Sequence, residues 1–449
     1  MFNLTANGAR VRCGPAILNR MRYQNLFSAP RWQTRLLIWG SAAAVGLAAV
    51  GFAKIADLSQ LGLRHLLAVW PWAVWLLAPS GFCLIAWLTR RFFRGAEGSG
   101  IPQTIFALRP DSGEMGRLLM QPRVVIGRVA LAAAGLFCGG SIGREGPTVH
   151  VGAVIIHGVS RWMPSGHVEG QRRAMILAGG AAGVAAAFNT PLAGIVFAIE
   201  ELSRSFEERA SGTTLTAVIL AGIVAIALTG DYTYFGQPTV AATALRITPV
   251  VLLVAVVCGL LGGLFSRLTL ASGAGLPGPL GRLRRERPVV FAALCGLGIA
   301  ALGAWSGGLT YGTGYEEARS ILEAQAHLPW NYSLARAVAT LLSFLSGIPA
   351  GLLAPSLSVG AGLGQFIADY LHEPSAVPFA ILGMCGFLAG VTQAPLTSFV
   401  IVMEMTSQHA MVLPLMVAAA VATALSKLLT PPLYQALADR NATPVAEPR

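Results

Sequence analysis

The pentapeptide Gly143-Arg144-Glu145-Gly146-Pro147 lies between two apolar runs, Val124–Gly140 and Thr148–Val159. Even on the gentlest scale, a charged side chain at a bilayer centre costs about 2.5–3.5 kcal/mol, and such residues usually face a polar pathway. Here the acid is flanked by arginine and glycine and followed by proline. Glycine lets a backbone approach a ligand closely. Proline fits the first turn of a helix, where its missing N–H is not needed. The pentapeptide therefore reads as a helix start buried at membrane depth, its free N–H groups available to an anion.

The rest of the chain fits that environment. Only 12% of its 449 residues are charged, against about 25% in a soluble domain. Mean hydropathy is +0.63, and several apolar runs approach the roughly 20 residues a membrane helix requires. The expected fold class is an all-α polytopic membrane protein. A net charge of +12 does not argue for nucleic acid. The arginines gather in short loops and the N-terminal arm, as the positive-inside rule expects, and no basic run is interleaved with stacking aromatics. Five of the six cysteines (Cys83, Cys138, Cys258, Cys295, Cys385) sit in apolar runs and show neither metal spacing nor a disulfide pattern. No metal or cofactor is expected. Residues 1–35 are largely polar and arginine-bearing, without a signal peptide.

In chain order, residues 1–33 read as a cytoplasmic arm, residues 34–440 as the membrane domain and residues 441–449 as a short cytoplasmic tail. Leu36–Ala56 and Leu66–Leu88 are the first two spans; basic residues before the first and after the second put both ends of that hairpin in the cytoplasm. Gly98-Ser99-Gly100-Ile101-Pro102 is a second short helix start, with Ser99 expected as N-cap. Gly273–Arg287 reads as an arginine-rich loop. Many apolar segments are too short to span and are broken by glycine or proline, a pattern of discontinuous helices around a midplane site.

The chain also repeats itself. Gly98-Ser99-Gly100-Ile101 matches Gly312-Thr313-Gly314-Tyr315; Gly143 through Pro147 matches Gly351-Leu352-Leu353-Ala354-Pro355; Pro191 through Glu200 matches Pro395 through Glu404. Three matches in one order indicate a duplication, with halves of about 34–230 and 248–440. Glu200 and Glu404 correspond, so both read as structural caps or ties. Glu145 faces Leu353 and Glu201 faces Met405. An acid present in only one half is the better functional candidate.

The combination of GSGIP at 98–102, GREGP at 143–147, Gly351-x-x-x-Pro355 and Tyr434 in Pro-Leu-Tyr resembles the signature loops of the CLC chloride channel and transporter family, in order from about residue 34 to 440. The resemblance implies two inverted repeats with broken, tilted helices, and a homodimer with one pore per subunit. It implies chloride held by the hydroxyls of Ser99 and Tyr434 and by backbone N–H groups at Arg144, Gly146, Leu352 and Leu353. It makes Glu145 the external gate and proton acceptor, and Glu201 the internal proton acceptor. Chloride and protons are then substrates, exchanged across the inner membrane of a prokaryote with both termini cytoplasmic. Leu353 stands where the family usually has phenylalanine. Ser99 favours chloride over nitrate, whose carriers have proline there, and argues against fluoride export. The chain ends soon after Tyr434, without the paired regulatory domains of many eukaryotic members.

From the residues alone, each of these positions also admits a plainer role. Glu145 could be an acid tied to Arg144 or capping its own helix; Glu201 could be structural like its neighbour. Ser99 could be a plain N-cap and Tyr434 an interface-belt tyrosine. Arg128 either tunes the pore potential or snorkels. His150 and His157 share a helix face without a third ligand and read as packing. The alternative function within the family is a passive chloride channel, which tends to lack an acid at Glu201. An intramembrane enzyme is disfavoured by the absence of His-Glu-x-x-His and Gly-x-Ser-x-Gly motifs.

Overall fold

A computed structural model describes residues 29–163, 169–203, 212–230, 234–236, 238, 249–275 and 278–441. These residues are overwhelmingly helical, and among them no β-strand forms. Among the described residues six helices are long and apolar enough to cross a membrane, and a seventh span arises if Gly113–Leu119 and Pro122–Phe137, bent by 52°, count as one.

Three sequence expectations need correction. The first helix runs unbroken from Ala29 to Val69, so the expected boundary at residue 33 falls inside it; residues 1–28 lie outside the described residues. The second span starts later than Leu66, because Pro71 opens a short 3-10 turn (Pro71–Ala73) and the next helix is Val74–Phe92. Proline cannot continue a helix through its own N–H. The arginine-rich stretch is not all loop, since Gly278–Glu286 is helical.

Several of the remaining helices are short and deeply packed. All residues of Val377–Thr392 are buried, yet at 1.5 Å per residue this helix is only about 24 Å long. Glycines allow that packing. A side chain at Gly152 would strike the Gly179 carbonyl and one at Gly179 the Gly152 carbonyl; Gly360 and Gly383 block each other in the same way. These are the close helix crossings that small residues permit in membranes.

The two crossings are copies, and so is almost everything at the centre. Gly98 pairs with Pro349 and Ser141 with Gly312, both parallel, while Gly143 pairs with Gly351 antiparallel. Exchanging the halves turns the first pairing into the second and the third into itself. A pseudo-twofold axis therefore passes by Gly143 and Gly351, and the halves are inverted repeats. The acids shared by both halves obey the same operation. The Glu404 carboxylate accepts the N–H groups of Leu192 (3.2 Å) and Ala193 (2.7 Å), and Glu200 accepts those of Leu396 (3.1 Å) and Thr397 (2.6 Å). Each half caps the other's broken helix, as the correspondence of the two acids suggested.

This cross-capping sets an expectation for stability. Glu200→Ala and Glu404→Ala should each destabilise the protein by about 1–2 kcal/mol, the loss of a helix cap and its dipole interaction. Thermal unfolding in detergent measures this. A marked effect from one variant and none from the other would mean the symmetry of contacts is not one of energy.

Candidate functional site

Helices Glu145–Val159 and Leu353–Tyr370 begin just after the Gly143–Gly351 pairing, whose Gly143 N–H donates to the Gly351 carbonyl at 2.9 Å. Both carry a proline, Pro147 and Pro355, in the first turn. The Thr148 hydroxyl returns to the Arg144 carbonyl (2.8 Å) and the Ser356 hydroxyl to the Leu352 carbonyl (2.7 Å). First-turn amides have no intrahelical acceptor and carry the positive end of the helix dipole. Two such ends therefore meet at the middle of the fold. Arg144 and Leu352 are the N-cap residues, followed by Glu145 and Gly146 in one helix and Leu353 in the other.

The Glu145 carboxylate lies between these two ends. It is fully buried and neither oxygen completes a hydrogen bond. Its nearest polar neighbours include its own amide, that of Ala354 and the Tyr234 hydroxyl. Gly143 makes room for it, because a Cβ there would stand 2.7 Å from Glu145 Oε2 and 3.3 Å from the Ala354 nitrogen. The reading of Glu145 as tied to Arg144 does not hold. The Arg144 guanidinium turns away, donating to Asp57 (2.9 Å), to the Ala53 carbonyl (3.3 Å) and to Tyr234 (3.0 Å).

Ser99 reaches the same helix start at Gly146. It is not the N-cap expected from the sequence. Gly100, at φ 101°, takes that position, and Gln103 does the capping by accepting the Gly100 N–H at 3.0 Å. The Ser99 hydroxyl is left buried and without a partner, over Gly146, where a side chain would collide with it. Arg128 neither snorkels nor faces an open pathway. It is fully buried and donates to the carbonyls of Gly98 (2.9 Å) and Gly95 (2.7 Å), holding the Ser99 loop in shape. His150 is a packing residue, its Nε2 against the Leu119 carbonyl at 2.8 Å.

Tyr434 opens the last helix, Leu433–Asn441, which packs against Ile101–Ala107 behind Ser99. It is fully buried, and its hydroxyl also lacks a partner. Ser99, Glu201 and Glu145 all lie within its electrostatic reach. Glu201 is fully buried in a π-helical turn, Ala198–Ser203. The wider turn parts the neighbouring acids: Glu200 reaches the opposite half, while Glu201 points inward beside the last helix, whose Gln435 donates to the Glu201 carbonyl at 3.0 Å. Such turns are frequent at functional sites.

Three residues at the centre escaped the sequence reading. Arg336 stands after Arg128 at the spacing that separates Leu353 from Glu145, and it binds the Leu309, Tyr311 and Gly312 carbonyls as Arg128 binds its own loop. That spacing was a legible signal. Gln60, which accepts the Thr313 N–H at 3.0 Å, and Tyr234 gave none, because each arrives from outside the repeated motifs.

Comparison with known proteins agrees with this architecture. Residues 81–427 match the voltage gated chloride channel family. The H(+)/Cl(-) exchange transporter ClcA of Cronobacter sakazakii is 32% identical over 457 residues, covering 93% of this chain and 92% of that protein. Among solved structures, a slow cyanobacterial Cl-/H+ antiporter matches with a TM-score of 0.77 at 24% identity, covering 91% of this chain and 98% of its own. A CLC-type fluoride/proton antiporter matches at 0.69 and 22%, covering 90% and 96%. The two structural likenesses speak for the fold. The chain belongs to the voltage-gated chloride channel family and is a multi-pass membrane protein.

Gly146→Ala should push Ser99 off the helix start and destabilise the fold by about 1–3 kcal/mol, the usual effect of overpacking. A melting temperature equal to that of the unaltered protein would show that the contact relaxes freely.

Proposed function

We infer that this member of the voltage-gated chloride channel family exchanges chloride for protons across the membrane. The observation that carries the reading is the convergence of two buried hydroxyls, Ser99 and Tyr434, which lie beside each other without completing a hydrogen bond, on the helix start that also holds the Glu145 carboxylate. A buried polar group left unsatisfied costs about 1–3 kcal/mol. A small anion that accepts from both hydroxyls removes that penalty.

Burying an ion costs several kcal/mol even after relaxation. One helix end contributes at most about 2 kcal/mol and a hydrogen bond to a charged group about 1.5–3 kcal/mol. Amides at Arg144, Gly146, Leu352 and Leu353 together with the two hydroxyls reach the required sum. No fixed cation need touch the ion: the Arg144 guanidinium is engaged with Asp57 and Tyr234, and Arg128 with loop carbonyls. The ion is thus held without being trapped.

Glu145 couples the second substrate. Ionised, its carboxylate competes with chloride for the same amides. Protonated, it loses that attraction and yields the place. Protons reach it from outside directly, and from inside by way of Glu201, whose position beside Tyr434 lies on the inner approach. Without a buried acid there, the same pore would pass chloride passively.

Both termini are proposed to be cytoplasmic, in the inner membrane of a prokaryote, with halves of about 34–230 and 248–440. A homodimer is proposed as well, and the cross-capped helices support it. Leu192 and Leu396 are exposed beside partly exposed carboxylates and amides, and polar ties facing lipid are unfavourable. A second subunit would cover them.

In liposomes, a chloride gradient should drive protons uphill, read with a pH electrode. Glu145→Ala should keep chloride flux and lose proton movement and pH dependence. Glu201→Gln should keep chloride flux and abolish proton transport. Normal proton pumping by Glu201→Gln would reassign the inner acid, and a chloride gradient that moves no protons in the unaltered protein would leave a passive channel.

A further inference from the structure

Tyr234 belongs to neither repeat, since it lies in the connection between the halves. It is nevertheless buried at the centre, 2% exposed. Its ring makes edge contacts with Phe188 (6.0 Å), Phe235 (5.2 Å) and Tyr315 (4.7 Å). The Phe235 N–H donates to the Met405 carbonyl at 2.9 Å and anchors the connection. The hydroxyl therefore has a fixed position. Its oxygen accepts from Arg144 Nη2 at 3.0 Å, and the guanidinium lies 5.6 Å from the ring centre. An oxygen that accepts from a guanidinium keeps its proton to donate, and is polarised to donate more strongly. The hydroxyl is thereby fixed beside the residue that precedes Glu145, and it is one of the polar neighbours of the Glu145 carboxylate, whose oxygens complete no hydrogen bond here.

We propose that Tyr234 is the outer latch of Glu145, its hydroxyl holding the ionised carboxylate against the two helix starts and so setting the pH at which Glu145 takes up a proton and gives way to chloride. Tyr234 is a positioning residue, acting through Glu145. The proposal rests on the exchange reading. Charged and titratable groups around the pair are Arg144 on the same helix start and Asp57 on the first helix. Tyr315 with Arg319 and Glu323 comes from the helix Tyr315–Leu322 and the residue after it, and Tyr434 from the last helix. Tyr234→Phe keeps every one of these groups and removes only the acceptor of Arg144 Nη2, whose guanidinium keeps Asp57 and the Ala53 carbonyl.

The sign follows from the donor. A hydrogen bond given to a carboxylate favours its ionised form. Removing the hydroxyl makes Glu145 easier to protonate, so proton-activated chloride flux should begin at higher pH. The full chain in liposomes, assayed for chloride flux against pH, should show the activation midpoint of Y234F raised by about one unit. In the Glu145→Gln background, Y234F should change nothing. An unshifted midpoint, or an equal shift without the acid at 145, overturns the proposal. Infrared difference titration of the Glu145 carboxyl, assigned by its loss in Glu145→Gln, reads the same shift without transport. That readout separates the two inferences: if the unaltered protein moves no protons, exchange fails, while an unmoved Glu145 titration in Y234F defeats the latch alone. Should Y234F not fold, fluorinated tyrosine at 234, a stronger donor, should move the titration down, and no movement counts against the latch.

Discussion

Everything at the centre depends on bringing two helix starts together in a medium that cannot solvate them. Inside a bilayer every backbone N–H needs a partner within the protein or its ligand, and the first turns of Glu145–Val159 and Leu353–Tyr370 have no helical one. The Gly143–Gly351 pairing sets how closely they meet. Its geometry demands glycine, since a side chain at either position would run into the Glu145 carboxylate or the facing backbone. The result is a concentration of partial positive charge built without a cation, suited to something small and negative that must also leave.

Symmetry builds this site and its breakage makes it work. Arg128 and Arg336, Glu200 and Glu404, and the paired glycine crossings are duplicated because each performs the same structural task in both halves. The loops they support differ. In the second half Gln60 takes the Thr313 amide, so the counterpart of Ser99 is stitched to the first helix. In the first half Ser99 keeps its hydroxyl open toward Tyr434. Glu145, Glu201 and Tyr234 have no counterparts: Tyr234 stands beside Arg144 and Glu145, and Glu201 beside the last helix.

Much of this was legible in the chain. Apolar length placed it in a membrane, and Pro147 after Glu145 marked a helix start. The asymmetric acids Glu145 and Glu201 stood out against Leu353 and Met405. Ser99 was misread locally, because an N-cap serine and a ligand-binding serine present the same short pattern. The N-cap reading fails because Gln103, a side chain able to take over the cap, does so. Arg128 was misread for a related reason: the carbonyls it satisfies belong to a loop that hydropathy cannot place beside it.

The sequence by itself determined the environment, the helix boundaries set by proline and glycine, the duplication, and the acids without a counterpart, because composition, backbone restriction and spacing are local properties. Tertiary structure decided what each polar group faces. It turned Arg144 outward to Asp57, set Glu200 and Glu404 across the axis, let a π turn divide Glu200 from Glu201, and brought Tyr234 and Tyr434 to Glu145 from distant parts of the chain. Such contacts follow from packing two inverted halves against one another, and no stretch of sequence carries the geometry of that interface.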